Sequence, residues 1–313
     1  MPSTYPEMWE KRVETNLKDG ANAPWLDGIP ELDTAVVEMG SGTASEKNLI
    51  HIPTSDFEPT VLVDNSAYPL AIEQYTDADV TIALHKFQSL PTELSDDQIL
   101  GASYPKIDAA TNAHKDAILA KKYARAAHAM APAANTAATP VILTTGIGLN
   151  AATAVAGDRL KMAYEDLVAL KDACDHAVPK MPVQGRRLVL CDDHYNDLLL
   201  DRKNFGDQLV NYKEGSPAPR ILGFDIFRYS DNPNYNGTTK LAFGAVPTST
   251  QTQGSFAFVT SNVAKKTGFT KQYFKDAKTD TENQTNRLNY RHYFVACPKR
   301  VQKIASIASG RKA

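Results

Sequence analysis

The segment from residue 46 to 97 most constrains what this chain can fold into, because nothing in its own length can bury it. Leu49-Ile50-His51-Ile52-Pro53 leads out, and Val80-Thr81-Ile82-Ala83-Leu84 leads back. The second run alternates apolar with polar residues, the period of a half-buried strand. Between the two runs, Pro53, Pro59 and Pro69 punctuate a stretch carrying Thr54, Ser55, Asp56, Asp64, Asn65 and Ser66. A two-stranded ribbon of this size is marginal alone in water. Its cover is expected to come from another copy of the same chain. The segment closes on Leu90-Pro91 and the acidic Ser95-Asp96-Asp97.

A long helix is predicted next, over residues 104–130. Pro105 suits the first turn, where its missing N–H costs nothing, and Pro132 stops the helix. Ile107, Ala110, Ala113, Ala117, Ala120, Ala124 and Ala127 recur at spacings of three and four, giving a narrow face of small residues. At 1.5 Å per residue, about 25 residues make a rod of roughly 37 Å. Such a face lets another element approach closely. A surface helix of good intrinsic propensity has the same composition.

The chain has 313 residues, enough for one large domain or two modest ones with a real core. Its net charge of −2 argues against a protein whose main work is gripping nucleic acid, though brief contact on one face remains compatible. Cys174, Cys191 and Cys297 are far apart and form no CxxC pair, which points to reduced thiols in a cytosolic setting. Met1 to Glu10 is polar and holds two prolines, unlike a secretory signal. No apolar run reaches the length of a membrane span.

Residues 1–45 read as an irregular arm with one short helix on Met8, Trp9, Val13 and Leu17, broken by Gly20, Pro24, Gly28 and Pro30. Val36-Val37 opens a strand that Gly40-Ser41-Gly42 ends. Residues 133–140 form a connection, and Val141-Ile142-Leu143 a short strand or apolar anchor. From Gly157 the pattern turns α/β. Leu160, Ala163, Tyr164, Leu167, Leu170, Cys174 and Ala177 make a helical stripe ended by Pro179 and Pro182. Arg187 to Cys191 is a buried strand, and Asp192 or Asp193 caps a helix carrying Tyr195, Leu198 and Leu199. Phe224–Phe227, Leu241–Phe243 and Phe256–Val259 are further strands. A long hairpin follows, with legs at Phe269–Phe274 and Tyr290–Ala296 and a polar turn over Lys278–Arg287. Pro298 then turns the chain, and Val301, Ile304 and Ile307 finish it.

The chemical motifs are weak. Gly146-Ile147-Gly148 lacks the third glycine of a dinucleotide loop, since residue 151 is alanine, and a structural bend explains it better. Cys191, Asp192, Asp193 and His194 sit together at a strand end, where α/β enzymes place catalytic groups. A strand-to-helix cap and a buried thiol account for them equally simply. The seven histidines form no HxH or HExxH. Lys47 and the asparagines of the 278–287 turn supply the residue types of an intersubunit isopeptide bond, but both types are too common to argue for one. No catalytic, cofactor or metal site is expected.

The order of elements and several stretches resemble the tailed-bacteriophage major capsid proteins. Tyr5-Pro6-Glu7-Met8-Trp9 through Leu17 resembles the opening of that family's N-terminal arm, and Lys47 to Pro53 the entry to its extended loop. Lys115 to Met130 resembles the spine helix. Asp166 to Leu170, followed by Arg187 to Leu199, resembles the helix–strand–helix of the axial domain. Tyr290 to Pro298 and Val301 to Ile307 resemble its last strand and closing segment.

The resemblance implies an α+β chain with the Hong Kong-type capsid fold: N-terminal arm, extended β-hairpin loop (E-loop), peripheral domain with a long spine helix, and α/β axial domain. The division it implies is 1–45 for the arm, 46–97 for the extended loop, 98–145 with 262–296 for the peripheral domain, and 146–261 with 297–313 for the axial domain. It implies a non-enzymatic subunit that assembles with itself into hexamers and pentamers of an icosahedral shell around double-stranded DNA, which it touches weakly and without specificity. The virion is its expected location, after assembly in the host cytoplasm, with no membrane or cofactor involved. Because the chain opens directly at the arm, a separate scaffolding protein is expected, together with a portal and decoration proteins. The residues expected at contacts between subunits are Leu49, Ile50, Ile52, Phe57, Val61, Val63, Tyr68, Ile72, Val80, Ile82 and Leu84 on the loop. Asp280, Glu282, Asn283 and Arg287 are expected to do the same at the hairpin turn. The alternatives are the shell of an encapsulin-like nanocompartment and a cytosolic α/β enzyme using Cys191 and His194.

Overall fold

The computed structural model describes residues 23–32, 49–55, 60–66, 68–70, 72–73, 77–95, 99, 106–200, 210–211, 216–217, 220–280 and 282–313. The helix expected near Met8, the strand at Val36-Val37, Lys47 and Phe57 lie outside these residues. The chain divides into two compact units, Leu32–His85 and the remainder.

In the first unit, β1 (Leu49–Ser55) pairs antiparallel with β2 (Asp77–Ala83), from Leu49 opposite Ala83 to Ser55 opposite Asp77. The expected tip of residues 54–78 is therefore shorter, because Thr54, Ser55, Asp77 and Ala78 are ladder residues. Pro53 does not interrupt the ladder. A proline is tolerated where its N–H position faces an open strand edge, and both strands of a two-stranded sheet are edges.

The second unit is built on a six-stranded mixed sheet, ordered β5 (Val141–Leu143), β17 (Ile304–Ala308), β14 (Ser255–Val259), β6 (Arg186–Leu190), β10 (Phe224–Arg228) and β9 (Arg220–Ile221), beside a pair of β7 (Val210–Asn211) with β8 (Ser216–Pro217) and a small sheet of β11 (Asn234–Asn236) between β12 (Thr239–Lys240) and β13 (Thr252–Gln253). Both faces are covered, so β6, β14 and β17 read as continuous apolar runs rather than alternating ones. On one face, Leu188, Leu190, Ala257, Val259, Ala305 and Ile307 pack with Leu167, Leu170 and Cys174 of α2 (Tyr164–His176) and Leu198 of α3 (Asp192–Leu200). On the other, Val189, Phe256, Phe258, Ile304 and Ala308 join a cluster with Trp25 and the long helix α1 (Lys106–Met130).

Trp25 is fully buried, edge-on to Tyr229, Phe256 and Phe258 at ring-centroid distances of 5.9, 5.5 and 6.1 Å. It sits in a single 3-10 turn, Pro24–Leu26, anchored by Arg187 Nη1 donating to Trp25 O at 2.8 Å and Asp27 O at 2.7 Å. One aromatic between chain breakers has no period, so sequence pattern placed it in irregular arm and not in the core.

The long hairpin pairs β15 (Val263–Lys275) with β16 (Thr285–Pro298), bulged between Thr267 and Thr270. Strands β3 (His85–Gln88) and β4 (Thr92–Ser95) add to β16. The inner face of this sheet, with Leu288, Tyr290 and Phe294, packs on α1. The alanine stripe only meets the buried face of α1 at its ends, for Ala113, Ala117 and Ala120 are exposed while Ala127 is buried. The buried face carries Thr111, His114, Ile118, Leu119, Lys122, Tyr123, Ala126, Ala127 and Met130. Hydrophobic stabilisation scales with apolar area removed from water, so the larger side chains decide which face turns inward.

Three further expectations need correction. Helix α2 begins at Tyr164, not near Leu160. Asp166 fixes that start by accepting from Ala163 N at 2.9 Å and Thr145 Oγ1 at 2.7 Å. Leu241–Phe243 is not a strand: Leu241 N donates to Asn234 O at 2.9 Å, after which the chain turns through Ala242–Ala245. Arg287 stands in β16 opposite Lys275, because the hairpin legs are longer than the alternation alone indicated. The Gly146 and Gly148 segment is a turn, as expected, with φ of 66° and 76°.

Candidate interaction surface

The β1–β2 ribbon pairs with no third strand among the described residues. Beyond its ladder, the tip turns apolar side chains to solvent: Val61 is 80% exposed, Val63 82%, Tyr68 79% and Ile72 93%. Leu62 and Leu70 are also exposed. Single exposed apolar residues are normal, whereas a contiguous set marks a contact surface. Across the tip, Thr60 N donates to Glu73 Oε2 at 3.0 Å. Hydrogen bonding from the Thr60 side chain, and then from its N–H, holds the Glu73 carboxyl below its ordinary pKa. Thr60, Leu62, Asn65, Tyr68, Leu70 and Glu73 line a hollow of about 590 Å³. Ile82 and Leu84, at the other end of the returning strand, are buried. For Leu49, Ile50, Ile52 and Val80, only the backbone register is described.

The 280–287 residues divide differently. Asp280 is 5% exposed and turned into its own hairpin, with Lys275 Nζ at 3.1 Å and the Asn283 N–H at 3.4 Å. The Lys275 contact holds the Asp280 carboxyl below its ordinary pKa. Arg287 pairs with Glu93 of β4 at 3.2 Å. Glu282 and Asn283 are exposed at the turn. The turn is closed from within by Asn286 Oδ1, which accepts from Ala277 N at 3.0 Å.

The Cys191–His194 cluster is a packing device. His194 is completely buried, with its two ring nitrogens hydrogen-bonded to Ser255 Oγ at 2.8 Å and Ser309 Oγ at 2.9 Å. Burial pushes its pKa down to about 3, so the ring is neutral at physiological pH. Burial pushes the Cys191 thiol up to about 11, leaving almost no thiolate to act as a nucleophile. Cys191 N donates to Ser255 Oγ at 3.0 Å. The cluster ties the end of β6 and the first turn of α3 to β14 and to the residue after β17. Asp192, expected as a cap, accepts from Arg228 Nε at 2.6 Å.

Two lysines, one buried and one half-buried, escape the sequence reading. Lys122, 2% exposed on the inner face of α1, lies over the Phe294 ring at 4.2 Å, and burial lowers its pKa to about 8. Lys240 of β12 (Thr239–Lys240) donates to His128 O at 2.7 Å and to Ala131 O, neutralising orphan carbonyls at the end of α1. The only sequence clue to Lys122 is its place on the Ile118–Leu119–Tyr123–Ala126 face, and that face becomes visible only once the packing side of α1 is known.

A family model described as phage capsid protein matches residues 75–304. No curated protein matches significantly. Among solved structures, the chain is similar to a capsid chain of cyanophage P-SCSP1u, with 17% identity, TM-score 0.56, and coverage of 90% of this chain and 93% of that one. It is similar to a capsid chain of Ralstonia phage GP4 at 9% identity and TM-score 0.57, over 85% and 84% of the two chains. A virus-like particle from Pyrococcus furiosus gives 9% identity and TM-score 0.54, over 97% and 99%.

Proposed function

Starting from the fact that this chain belongs to the phage capsid protein family, has the Hong Kong-type capsid fold and is a structural shell protein of the virion, we propose that its extended hairpin is the clasp between subunits. The family match favours the phage shell over a nanocompartment. A non-catalytic reading also accords with the protonated Cys191 and neutral His194.

One observation supports the clasp above the others. A ribbon with two open edges ends in Val61, Leu62, Val63, Tyr68, Leu70 and Ile72, all exposed in the isolated chain. Open edges and exposed apolar residues are an aggregation liability unless a specific partner covers them. A head-to-tail contact between identical copies closes into a ring when its rotation closes, so each arm covers the next subunit. On this reading, copies form hexamers and pentamers, and rings join into an icosahedral shell around double-stranded DNA. Glu282 and Asn283, at the tip of the long hairpin, face neighbouring rings. Asp280 and Arg287 support that tip from within rather than making the contact themselves. The division into arm, extended loop, peripheral and axial domains follows the family's architecture. A scaffolding protein, portal and decoration proteins, with assembly in the host cytoplasm, complete the proposal. Many weak repeated contacts give such a shell its stability.

Deleting residues 54–78 tests the clasp. The full chain should give rings or shells of megadalton mass by light scattering and electron microscopy. The deletion should leave a folded but unassembled subunit, as judged by circular dichroism. Shells formed by the deleted chain would sink the reading.

A further inference from the structure

We infer that the arm of one copy is seated electrostatically on the outer face of the β15–β16 sheet of the next, with Lys271 and Arg291 as the receiving cations. The inference rests on the clasp proposed above and names its other half.

The charge of this chain is sharply segregated although its total is only −2. Residues 32–85 hold nine Asp and Glu and a single lysine, Lys47. Residues 263–300 hold nine Lys and Arg and three Asp and Glu. The first stretch is the unit carrying the ribbon, and the second is the long hairpin with its flanks. Complementary fields of this kind steer association and fix register more than they add affinity.

The hairpin's geometry sorts these cations. Successive strand residues point to opposite faces, and directly paired residues share one. Leu288 and Tyr290 take the inner face against α1, so Arg287, Asn289 and Arg291 take the outer one. Their partners Lys275, Tyr273 and Lys271 stand beside them. Lys275 is engaged with Asp280 at 3.1 Å, and Arg287 with Glu93 at 3.2 Å. Lys271 and Arg291 form no ion pair among the described residues. Both cations lie against the Tyr273 ring, Lys271 Nζ at 5.5 Å and Arg291 Cζ at 5.2 Å from its centroid. Lys271 is exposed, and Arg291 and Tyr273 are half-buried. Two uncommitted cations flanking an aromatic ring make a seat for a carboxylate-bearing segment. The most acidic segment available at lattice concentration is the arm of a second copy.

The test uses the full chain in three charge variants. Lys271→Glu with Arg291→Glu should raise the concentration needed for assembly by at least about tenfold, because the defect repeats at every lattice contact. Asp77→Lys with Asp79→Lys on the arm should do the same. The chain carrying all four substitutions should assemble again. Because Arg291 is half-buried, Lys271→Gln with Arg291→Gln provides a milder pair, and thermal unfolding checks that each variant folds. Wild-type assembly should also weaken from 0.1 to 1 M salt, as the screening length falls from about 10 Å to 3 Å.

If the wild type assembles, the 54–78 deletion does not, and the Glu variant matches the wild type, the seat is overturned and the clasp stands. If the 54–78 deletion assembles, the clasp itself falls. If the Glu variant assembles normally yet loses duplex DNA in a mobility-shift assay, the face serves nucleic acid, and the seat is again overturned. Failure of the four-substitution chain to assemble, with its fold intact, also overturns it.

Discussion

The β15–β16 hairpin and the β1–β2 hairpin are both long antiparallel ladders, and they differ in where each finds its cover. The first has 13- and 14-residue strands, two added strands, and a 25-residue helix lying on its inner face. Its Leu288, Tyr290 and Phe294 are buried within the chain. The second has two strands of seven residues and sends its apolar tip into solvent. Equivalent patterning is thus buried inside the subunit in one place and, on the clasp proposed above, left for a neighbouring copy in the other. What separates them is whether the same chain supplies a second layer.

The largest way to break this comparison is on the packed side. Phe294 is 4% exposed, edge-on to Tyr123 at 6.3 Å and under the Lys122 ammonium. Phe294→Ala should cost about 3–5 kcal/mol of subunit stability in chemical denaturation, the range for truncating a buried aromatic. A cost near zero would mean that this hairpin, too, depends on a neighbour for its cover.

Lys122 gives a smaller effect with a defined sign. Its folded-state pKa of about 8 lies below the ordinary 10.5, so the unfolded chain holds more of its protons between those values. Stability from this group therefore rises as pH climbs from 8 to 10.5, and is lost as pH falls through about 8. The wild type should gain on the order of 2 kcal/mol across that window relative to Lys122→Met. Parallel denaturation profiles for the two proteins would count against a buried ammonium.

On the arm, Ile72→Ser sharpens the contrast. Isolated-subunit stability should change by no more than about 0.5 kcal/mol, as for an exposed site. Its effect should appear in light scattering, as a higher concentration needed for assembly. A large loss of subunit stability would place Ile72 in the subunit's own core.

Legibility followed the same division. The two ribbon runs and the body of α1 carry local periods, and the strands at Arg187–Leu190 and Phe256–Val259 are short apolar runs; both kinds of signal are visible without a fold. Trp25 was missed because its partners Tyr229, Phe256 and Phe258 are more than two hundred residues away in sequence. The alanine stripe of α1 is misleading because it is periodic, yet Ala113, Ala117 and Ala120 in its middle face outward. Periodicity shows that a helix has faces, and the volume of the opposing sheet selects one of them. Asp280 looked like a free tip carboxylate because its partner Lys275 lies across a turn whose length depends on where the ladder ends.

By itself the sequence marked residues 46–97 as a segment without cover in its own length, set the elements in the order of a shell subunit, and gathered charge of opposite sign in two stretches. These are properties of composition and spacing along one dimension. Only the tertiary structure decided that Lys271 and Arg291 share the outer face with Tyr273, and that Cys191 and His194 are sealed. It alone decided which side of α1 meets the sheet. Each of those outcomes depends on strand register and on burial between residues far apart in the chain, which local pattern does not encode.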